Sequence, residues 1–271
     1  MHELMAFQFD TRLFWSRIFS PDQQFWGALE ITISVAIIAQ ILGVLLGLAS
    51  ALAGMSRLFP LRFLSGAYVL VWRGTPIIVQ VFFIYFGAPL FLGFDPFGPV
   101  VHLLFFPVAG AVLAGVVALG LNEGAFMSEI IRAGIKAIDT GQMEAAVSVG
   151  MGRGLAMRRI VLPQAARIIM PPLGNDFNGM IKQTSLLAFI GVYEIFFDAE
   201  EHYSVTFQPI EYFLAVAVWY LLLTTCWSFI QAWIEVRLDP AARSDLQRPW
   251  WHWRSLLAQM RGDRGLRSPG I

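Results

Sequence analysis

The chain has 271 residues, of which 57% are hydrophobic and only 14% are charged. A soluble domain carries about 25% charged residues, so this composition places the protein in a lipid bilayer. The formal net charge is zero, which gives a nucleic-acid partner no overall electrostatic support. The single cysteine, Cys226, excludes an intrachain disulfide and any metal site built from cysteines.

Residues 1–24 do not resemble a cleavable signal peptide. They carry charges of both signs and lack a short apolar run that ends in a small-residue cleavage site. We expect them to form a periplasmic or interfacial segment with a short helix on the membrane surface. The apolar residues that indicate this helix are Phe9, Leu13, Phe14, Ile18 and Phe19.

Long apolar stretches along the rest of the chain predict membrane-spanning helices, each of which needs about 20 residues. The predicted spans are 26–55, 68–92, 105–131, 168–193 and 210–236. Asn175, Asp176 and Lys182 interrupt the fourth span, which we include because its flanking loops otherwise end on the wrong sides of the membrane. The sequence thus predicts an all-α membrane bundle of about five transmembrane helices within residues 25–239.

Basic residues set the expected direction of these helices, because short cytoplasmic loops are enriched in Lys and Arg. They cluster in 57–62, 132–167 and 237–267, and are absent from 93–104 and 192–209. We therefore expect the N-terminus outside and the C-terminus in the cytoplasm. Arg12 and Arg17 run against this pattern but are outnumbered.

The long loop between the third and fourth predicted spans, about 139–163, has the sequence of an ordered protrusion. Asp139 followed by Gln142 resembles a capping box, which predicts that a helix begins there with Glu144 in its first turn. Gly150 and two further glycines, Gly152 and Gly154, are expected to end that helix. A second short helix is expected over 155–160, before Pro163 restarts the chain.

Several motifs in this loop and in the spans resemble those of one transporter family. The resemblance is to the EAA loop of ABC importer permeases, and more closely to the polar amino acid permeases of the histidine and glutamine type. It covers residues 25–236, and Phe126 departs from it where the family commonly has Tyr. The motifs are Glu144-Ala145-Ala146 with Gly150 and Ile160-Val161-Leu162-Pro163, Arg73-Gly74-Thr75-Pro76, Gly124-Ala125-Phe126, and Lys182-Gln183-Thr184-Ser185-Leu186.

The resemblance implies the fold of a type I importer permease and a coupling helix that sits in a cleft of the ATPase subunit. Carried over to this sequence, it assigns the coupling role to residues of the loop. These are Glu144, Ala145, Ala146, Gly150, Arg158, Arg159 and Pro163.

The partners follow from the same resemblance and from the lack of a phosphate-binding loop of the Gly-x-x-x-x-Gly-Lys-Ser/Thr type in this chain. We expect no cofactor here, with ATP and Mg²⁺ bound by a separate dimer of ATPase subunits. We also expect a second permease subunit, an external solute-binding protein, an amino-acid substrate and membrane lipids, but no nucleic acid. The expected location is the bacterial cytoplasmic (inner) membrane.

Polar residues inside the predicted spans are candidates for the substrate path, because ionisable groups in a membrane are costly to keep. Lys182 either binds the substrate carboxylate or pairs with Glu123 or Glu129 to join two helices, and pairing is the favoured interpretation. Glu129 and Arg132 are expected to stabilise each other. The path candidates are Asn122, Glu123, Glu129, Asn178, Lys182, Thr184 and Ser185.

Two proline-containing motifs are candidates for gating or for structural bends. A functional role and a structural role explain the motif Arg73-Gly74-Thr75-Pro76 equally well. Pro171 and Pro172 are expected to break or kink the entry to the fourth span, as part of a gate or as a simple proline kink.

The C-terminal segment 240–271 is basic and contains Trp250, Trp251 and Trp253. This combination is typical of contact with anionic headgroups on the cytoplasmic side, and contact with the ATPase is the alternative.

Other functions are alternatives to the import of polar amino acids. A permease of the same type for another small polar solute accounts for the same motifs. An ion-coupled secondary transporter leaves the ordered loop unexplained and usually brings an internal repeat. A membrane enzyme lacks a recognisable site, because the four histidines are isolated. Neither the amino acid carried nor the identity of the two permease copies can be read from the residues.

Overall fold

The computed structural model describes residues 9–103 and 106–238. The predicted tail, 240–271, and the first part of the predicted N-terminal segment lie outside the described residues. The described part is a helical bundle with one short β-hairpin, so the predicted helical membrane fold is confirmed. Its central pair is α2 (Gln23–Gly54) and α6 (Gly110–Lys136), which pack closely along most of their length.

Helix α1 (Thr11–Phe19) is the short helix expected near the N-terminus. The Asp10 carboxylate caps it by accepting hydrogen bonds from the backbone amides of Arg12 and Leu13, at 2.9 and 3.1 Å. Its outer aromatic residues stay exposed, with Phe19 at 75%, as expected for a helix at a membrane surface.

The second predicted span is broken into two arms. Helix α3 (Phe59–Gly74) meets a second arm, Ile77–Leu92, at 109°. The second arm consists of α4 (Ile77–Phe82), a π-helical turn and α5 (Ala88–Leu92). The prediction of one continuous helix over 68–92 was therefore wrong, because Thr75 is extended and Pro76 cannot donate a helical hydrogen bond.

The third span begins later than predicted. Strand β1 (Val100–Leu103) pairs antiparallel with β2 (Phe106–Ala109), and α6 starts only at Gly110. The sequence over Phe106–Ala109 predicts the start of a helix, but these residues form strand β2. Such short apolar runs do not distinguish strand from helix.

A nearly continuous helical path links the loop to the fourth span. It contains α7 (Thr140–Ser148), α8 (Arg153–Ala156), a π-helical turn (Met157–Val161), and α9 (Leu162–Gln183) with a 3₁₀ extension to Ile190. Pro163 does not restart the chain as predicted. It lies within the helical segment Arg153–Ile190, directly after the π-helical turn.

Pro171 and Pro172 lie inside α9, which continues through both. Of the predicted break or kink, the break is therefore wrong, and the kink stays a prediction. Each proline removes one helical N–H, and side chains of α11 (Pro209–Leu238) bond to other carbonyls of this segment. Gln231 donates to the Pro171 carbonyl at 3.3 Å, and Trp227 donates to the Gly174 carbonyl at 2.8 Å.

The fourth span bends by 47° into α10 (Ile195–Thr206), and α11 follows. In the described part of the chain, three helices are long and apolar enough to cross a membrane, or up to five if each bent pair is one span. This agrees with the predicted number when α3 with its second arm, and α9 with α10, are each counted once.

Candidate functional site

The start of α7 follows from local side-chain chemistry. The Asp139 carboxylate accepts a hydrogen bond from the Gly141 amide at 2.8 Å, so the predicted helix start is confirmed. The Gln142 side chain does not complete a capping box, because its oxygen accepts a hydrogen bond from Gln164 instead. Glu144 lies in the second turn, which contradicts its expected place beside the helix N-terminus.

The end of α7 depends on one glycine. Gly150 has a φ of 87°, in the left-handed region that residues with a Cβ rarely adopt. Its amide donates to the Val147 carbonyl at 2.9 Å, and the Met151 amide donates to the Ala146 carbonyl at 3.0 Å. Gly152 caps α8 with a φ of −64°, so this position does not itself require glycine.

The α7 helix presents a surface rather than burying itself. Ala146 packs inward with 3% exposure, whereas Val147 and Val149 are 43% and 79% exposed. The other coupling candidates of the loop, Glu144, Ala145, Gly150, Arg158, Arg159 and Pro163, are also exposed. A groove of about 450 Å³ runs beside the helix and is lined by Thr140, Met143, Glu144, Val147, Ser148 and Arg153.

A second group of polar candidates is buried between the central helices. Glu123 is 4% exposed and accepts a hydrogen bond from Gln40 of α2 at 2.8 Å. Asn122 is 5% exposed and donates to the Gln80 side chain at 2.8 Å and to the Trp72 carbonyl at 3.0 Å. These two path candidates therefore connect helices within the subunit.

The corner at Arg73-Gly74-Thr75-Pro76 is held by the same network. The Gln80 amide donates to the Thr75 hydroxyl at 2.7 Å and to its carbonyl at 3.1 Å. The Arg73 guanidinium lies 5.0 Å from the ring centre of Phe126, so the phenylalanine provides the aromatic face that this contact needs. These contacts give the corner a structural role in fixing the sharp bend.

The charged candidates of α6 and α9 are arranged differently from the favoured prediction. Glu129 forms an ion pair with Arg132, as expected for residues three apart on one helix. Lys182 is exposed, and no carboxylate in the described residues lies within 4 Å of its amine. The predicted pairing of Lys182 with Glu123 or Glu129 is therefore wrong for this structure.

Lys182 instead opens onto a groove between α9, α10 and α11. The groove has a volume of about 610 Å³, and its lining includes Lys182, Ser185, Tyr220 and Thr224 among apolar residues. Ser185 donates to the Lys182 carbonyl at 2.8 Å. Thr184, by contrast, is fully buried and donates to the Ile181 carbonyl, so it does not reach the groove.

Asn178 lies on α9, where it donates to the Ser228 hydroxyl of α11 at 3.2 Å. Two residues of the buried network, Gln40 and Gln80, were not predicted from the sequence. Both are neutral amides within long apolar runs, and such a position is the signal that could have identified them. Asp176 has a buried carboxylate oxygen without a hydrogen-bond partner in the described part of the chain.

Comparison with protein families gives a match over most of the bundle. The family described as "Binding-protein-dependent transport system inner membrane component" matches residues 43–240. Among curated proteins, the L-cystine transport system permease protein TcyB of Bacillus subtilis (strain 168) is 36% identical over 245 residues. These residues are 88% of this chain and 97% of TcyB.

Two further comparisons agree with this match. The arginine transport system permease protein ArtQ of Bacillus subtilis (strain 168) is 34% identical, over 78% of this chain and 90% of ArtQ. A solved structure described as an amino acid ABC transporter with histidines superposes with a TM-score of 0.69 at 36% identity. It covers 79% of this chain and 94% of the compared chain.

Proposed function

We propose residue roles, a membrane orientation and an assembly for this chain. The chain belongs to the family of binding-protein-dependent transport system inner membrane components. It is the permease subunit of an ABC importer for amino acids, and it crosses the inner membrane several times. ATP is hydrolysed by a separate subunit. The roles of individual residues, the orientation and the assembly are proposals.

The ATPase docks on α7 and the groove beside it. The observation that carries this proposal is a short helix whose ends are fixed by Asp139 and Gly150 and whose outer side is exposed. A helix held rigidly at both ends transmits movement of a bound partner to the spans. The path is direct, because α6 ends only a few residues before α7, and α8 leads into α9.

Two substitutions test this docking site. Glu144→Lys should remove the co-purified ATPase and abolish uptake while the permease stays in the membrane, because it reverses an exposed charge on the docking surface. Glu201→Lys on α10 is the matched control, since that glutamate is also exposed but belongs to the other end of the bundle. Normal co-purification and uptake with Glu144→Lys would refute the docking site.

The helix end provides an independent test. Gly150→Ala should cost about 1–2 kcal/mol locally, because alanine is disfavoured in the left-handed region, and should weaken ATPase association. Gly152→Ala should not, because Gly152 has an ordinary φ and open space around its Cα. Equal ATPase association in both variants would contradict the role of the glycine-ended turn.

The functional unit contains two permease subunits, two ATPase subunits and an external binding protein. The family description supports the binding protein and the coupled system. A second permease is proposed because the grooves of the described part lie at its surface, so that a closed path needs a second bundle. Mass measurement of the intact purified complex tests this composition and shows whether the two permeases are identical.

The N-terminus lies outside and the C-terminus in the cytoplasm. The basic residues at the end of the bundle that carries α7 support this orientation, and so does an ATPase partner, which needs cytoplasmic ATP. After Ile271, a fused reporter that works only in the cytoplasm should be active, and one that works only outside should be inactive. A reporter inserted near Asp95 should be active only as an external type, and reversed signals would overturn the orientation.

The cargo path includes the groove beside Lys182. An amino acid carries a carboxylate, and the exposed Lys182 amine is a cation without a carboxylate within 4 Å among the residues described. Ser185 lies beside it in the same groove. Asn122, Glu123 and Thr184 are not assigned to the path, because their polar groups are buried against other parts of the subunit. The cargo is a polar amino acid, the class to which the cystine and arginine of the relatives belong.

A further inference from the structure

A small polar pocket lies at the end of the bundle that carries α7. It has a volume of about 200 Å³, opens between α2, α3 and α6, and is separate from the Lys182 groove and the α7 groove. Its polar lining comes from both sides of the opening. Arg62, Ser65 and Gly66 belong to α3, and Ser128, Glu129 and Arg132 belong to α6.

The pocket carries an excess of positive charge. Glu129 is paired with Arg132, so one positive charge is compensated. No carboxylate within the described ranges comes within 4 Å of the Arg62 guanidinium. A guanidinium has five N–H donors, so Arg62, and the donors of Arg132 that Glu129 does not use, remain available to an anion.

The floor of the pocket is closed by hydroxyl groups that already have partners. Ser65 and Ser128 are 8% and 2% exposed. Ser65 donates to the Ser50 carbonyl at 2.8 Å, and Ser128 donates to the Ser50 hydroxyl at 3.0 Å. These bonds fix α2, α3 and α6 relative to one another, so the space between the two arginines is defined by a rigid base.

Helix α3 also carries exposed apolar side chains that are close to Arg62 in the sequence. Phe59, Phe63 and Leu64 are 67%, 63% and 62% exposed, and they flank Arg62 in the sequence. Under the orientation proposed above, they lie near the cytoplasmic boundary of the membrane. An anion that also has acyl chains would satisfy both features, whereas a free anion would use only the arginines.

We propose that this pocket binds the phosphate group of an anionic phospholipid in the cytoplasmic leaflet. The phosphate lies between Arg62 and Arg132, where charge-assisted hydrogen bonds are strongest, and the acyl chains lie along Phe59 and Phe63. Basic pockets between membrane helices on the cytoplasmic side suit such headgroups. The bound lipid joins α3 to the last turns of α6, which lead into α7, so it stabilises the arrangement that receives the ATPase. The inference rests on the proposed orientation and docking site.

The test uses the intact permease–ATPase complex and three variants. Native mass spectrometry counts phosphatidylglycerol retained by the permease, and nanodiscs of phosphatidylethanolamine with or without phosphatidylglycerol report ATPase activity. Arg62→Gln removes the free cation. Gly66→Phe adds a bulky side chain at a pocket-lining position without changing charge, and a Cβ there would meet nothing within 4 Å. Arg57→Gln is the matched control, an exposed arginine at the same end that does not line the pocket.

We expect Arg62→Gln and Gly66→Phe to reduce phosphatidylglycerol retention about tenfold and to abolish its stimulation of ATPase activity. Arg57→Gln should behave like the wild type. Equal losses in Arg57→Gln and Arg62→Gln, with normal retention in Gly66→Phe, would indicate only diffuse surface attraction and overturn the site.

A further arm separates the lipid from a free anion. Inorganic phosphate added at constant ionic strength to phosphatidylethanolamine nanodiscs should not replace phosphatidylglycerol, and replacement would overturn the lipid assignment. Phosphatidylglycerol retention is measured on the permease itself, so it can still be determined if the ATPase does not co-purify. Loss of the ATPase from the wild-type complex would contradict the proposed docking site and not the lipid site.

Discussion

The polar residues of the membrane region fall into two groups with opposite environments. Between α2, α4 and α6, the side chains of Gln40, Gln80, Asn122 and Glu123 are buried and bonded to one another or to backbone carbonyls. Between α9, α10 and α11, Lys182 is exposed at a groove of about 610 Å³. The first group joins helices inside the subunit. In the second, the charged amine of Lys182 is accessible from the groove.

This difference separates ionisable residues by their partners, which their place in the sequence does not show. In sequence, Glu123 and Lys182 look equivalent, since each is an ionisable residue in an apolar run. Burying a polar group without a partner costs about 1–3 kcal/mol in proteins. A buried group that has a partner in the subunit therefore stabilises the fold through that bond. Glu123 has Gln40, whereas Lys182 has no carboxylate partner in the part of the chain that is described.

The largest effect is expected where the buried group depends on close helix packing. Gly43 of α2 faces α6, and a Cβ there would overlap the Glu123 side chain and lie 3.3 Å from the Gly124 amide nitrogen. Gly43→Leu should therefore separate the helices, break the Gln40–Glu123 bond and cost about 3 kcal/mol or more. The measurement is the amount of folded permease recovered from the membrane and its thermal unfolding in detergent.

The control for this prediction is Gly27→Leu in the same helix, where a Cβ would meet nothing within 4 Å. It makes the same chemical change without a clash and should leave the yield unchanged. If both variants lose folded protein equally, the defect lies in helix α2 generally and the close approach at Gly43 is not its cause.

A smaller effect is expected from the buried hydrogen bond itself. Glu123→Leu leaves the Gln40 amide without its acceptor and should cost about 2 kcal/mol, whereas replacing both residues by Leu should recover part of the loss. Uptake per folded molecule should change little, because the pair connects helices and is outside the proposed path. A double-mutant cycle scored for unfolding and uptake makes the measurement. Full stability with abolished uptake in Glu123→Leu would return Glu123 to the cargo path.

Some of this arrangement could be predicted because its causes are local. The start of α7 at Asp139 and its end at Gly150 depend on hydrogen bonds and φ values within a few residues. The spans α2 and α11 are recognisable because their apolar runs are long enough to cross a bilayer alone. Helix α7 and the long spans could therefore be predicted from the sequence.

The remaining features depend on contacts between distant residues. The corner at Thr75 is held by Gln80 and Asn122, which an apolar profile over 68–92 does not show. Pro171 suggested a broken helix, but α9 continues through it, and Gln231 of α11 bonds to its carbonyl. The pairing of Lys182 was wrong for the same reason. Charges on two helices can be matched in sequence, while their distance is decided by how the helices rotate when they pack.

The smallest effect on stability, and the sharpest test of the comparison, is expected from Lys182. Its amine is exposed, so Lys182→Met should change the free energy of unfolding by less than about 0.5 kcal/mol. If the amine binds the cargo carboxylate, uptake and substrate-stimulated ATPase activity should fall about tenfold, equivalent to about 1.4 kcal/mol. Lys182→Arg should retain part of both, because it keeps the charge but changes its geometry.

Abundance and uptake, measured together on these two variants, distinguish the possible roles of Lys182. Low abundance of Lys182→Met with normal uptake per molecule would mean that the lysine supports the fold through a pairing that forms in another conformation or across the second permease. Normal abundance with normal uptake would place its amine at a headgroup or in water, outside the path. Only normal abundance with reduced uptake, partly restored in Lys182→Arg, fits a cation that is left unpaired in the permease because the cargo supplies its partner.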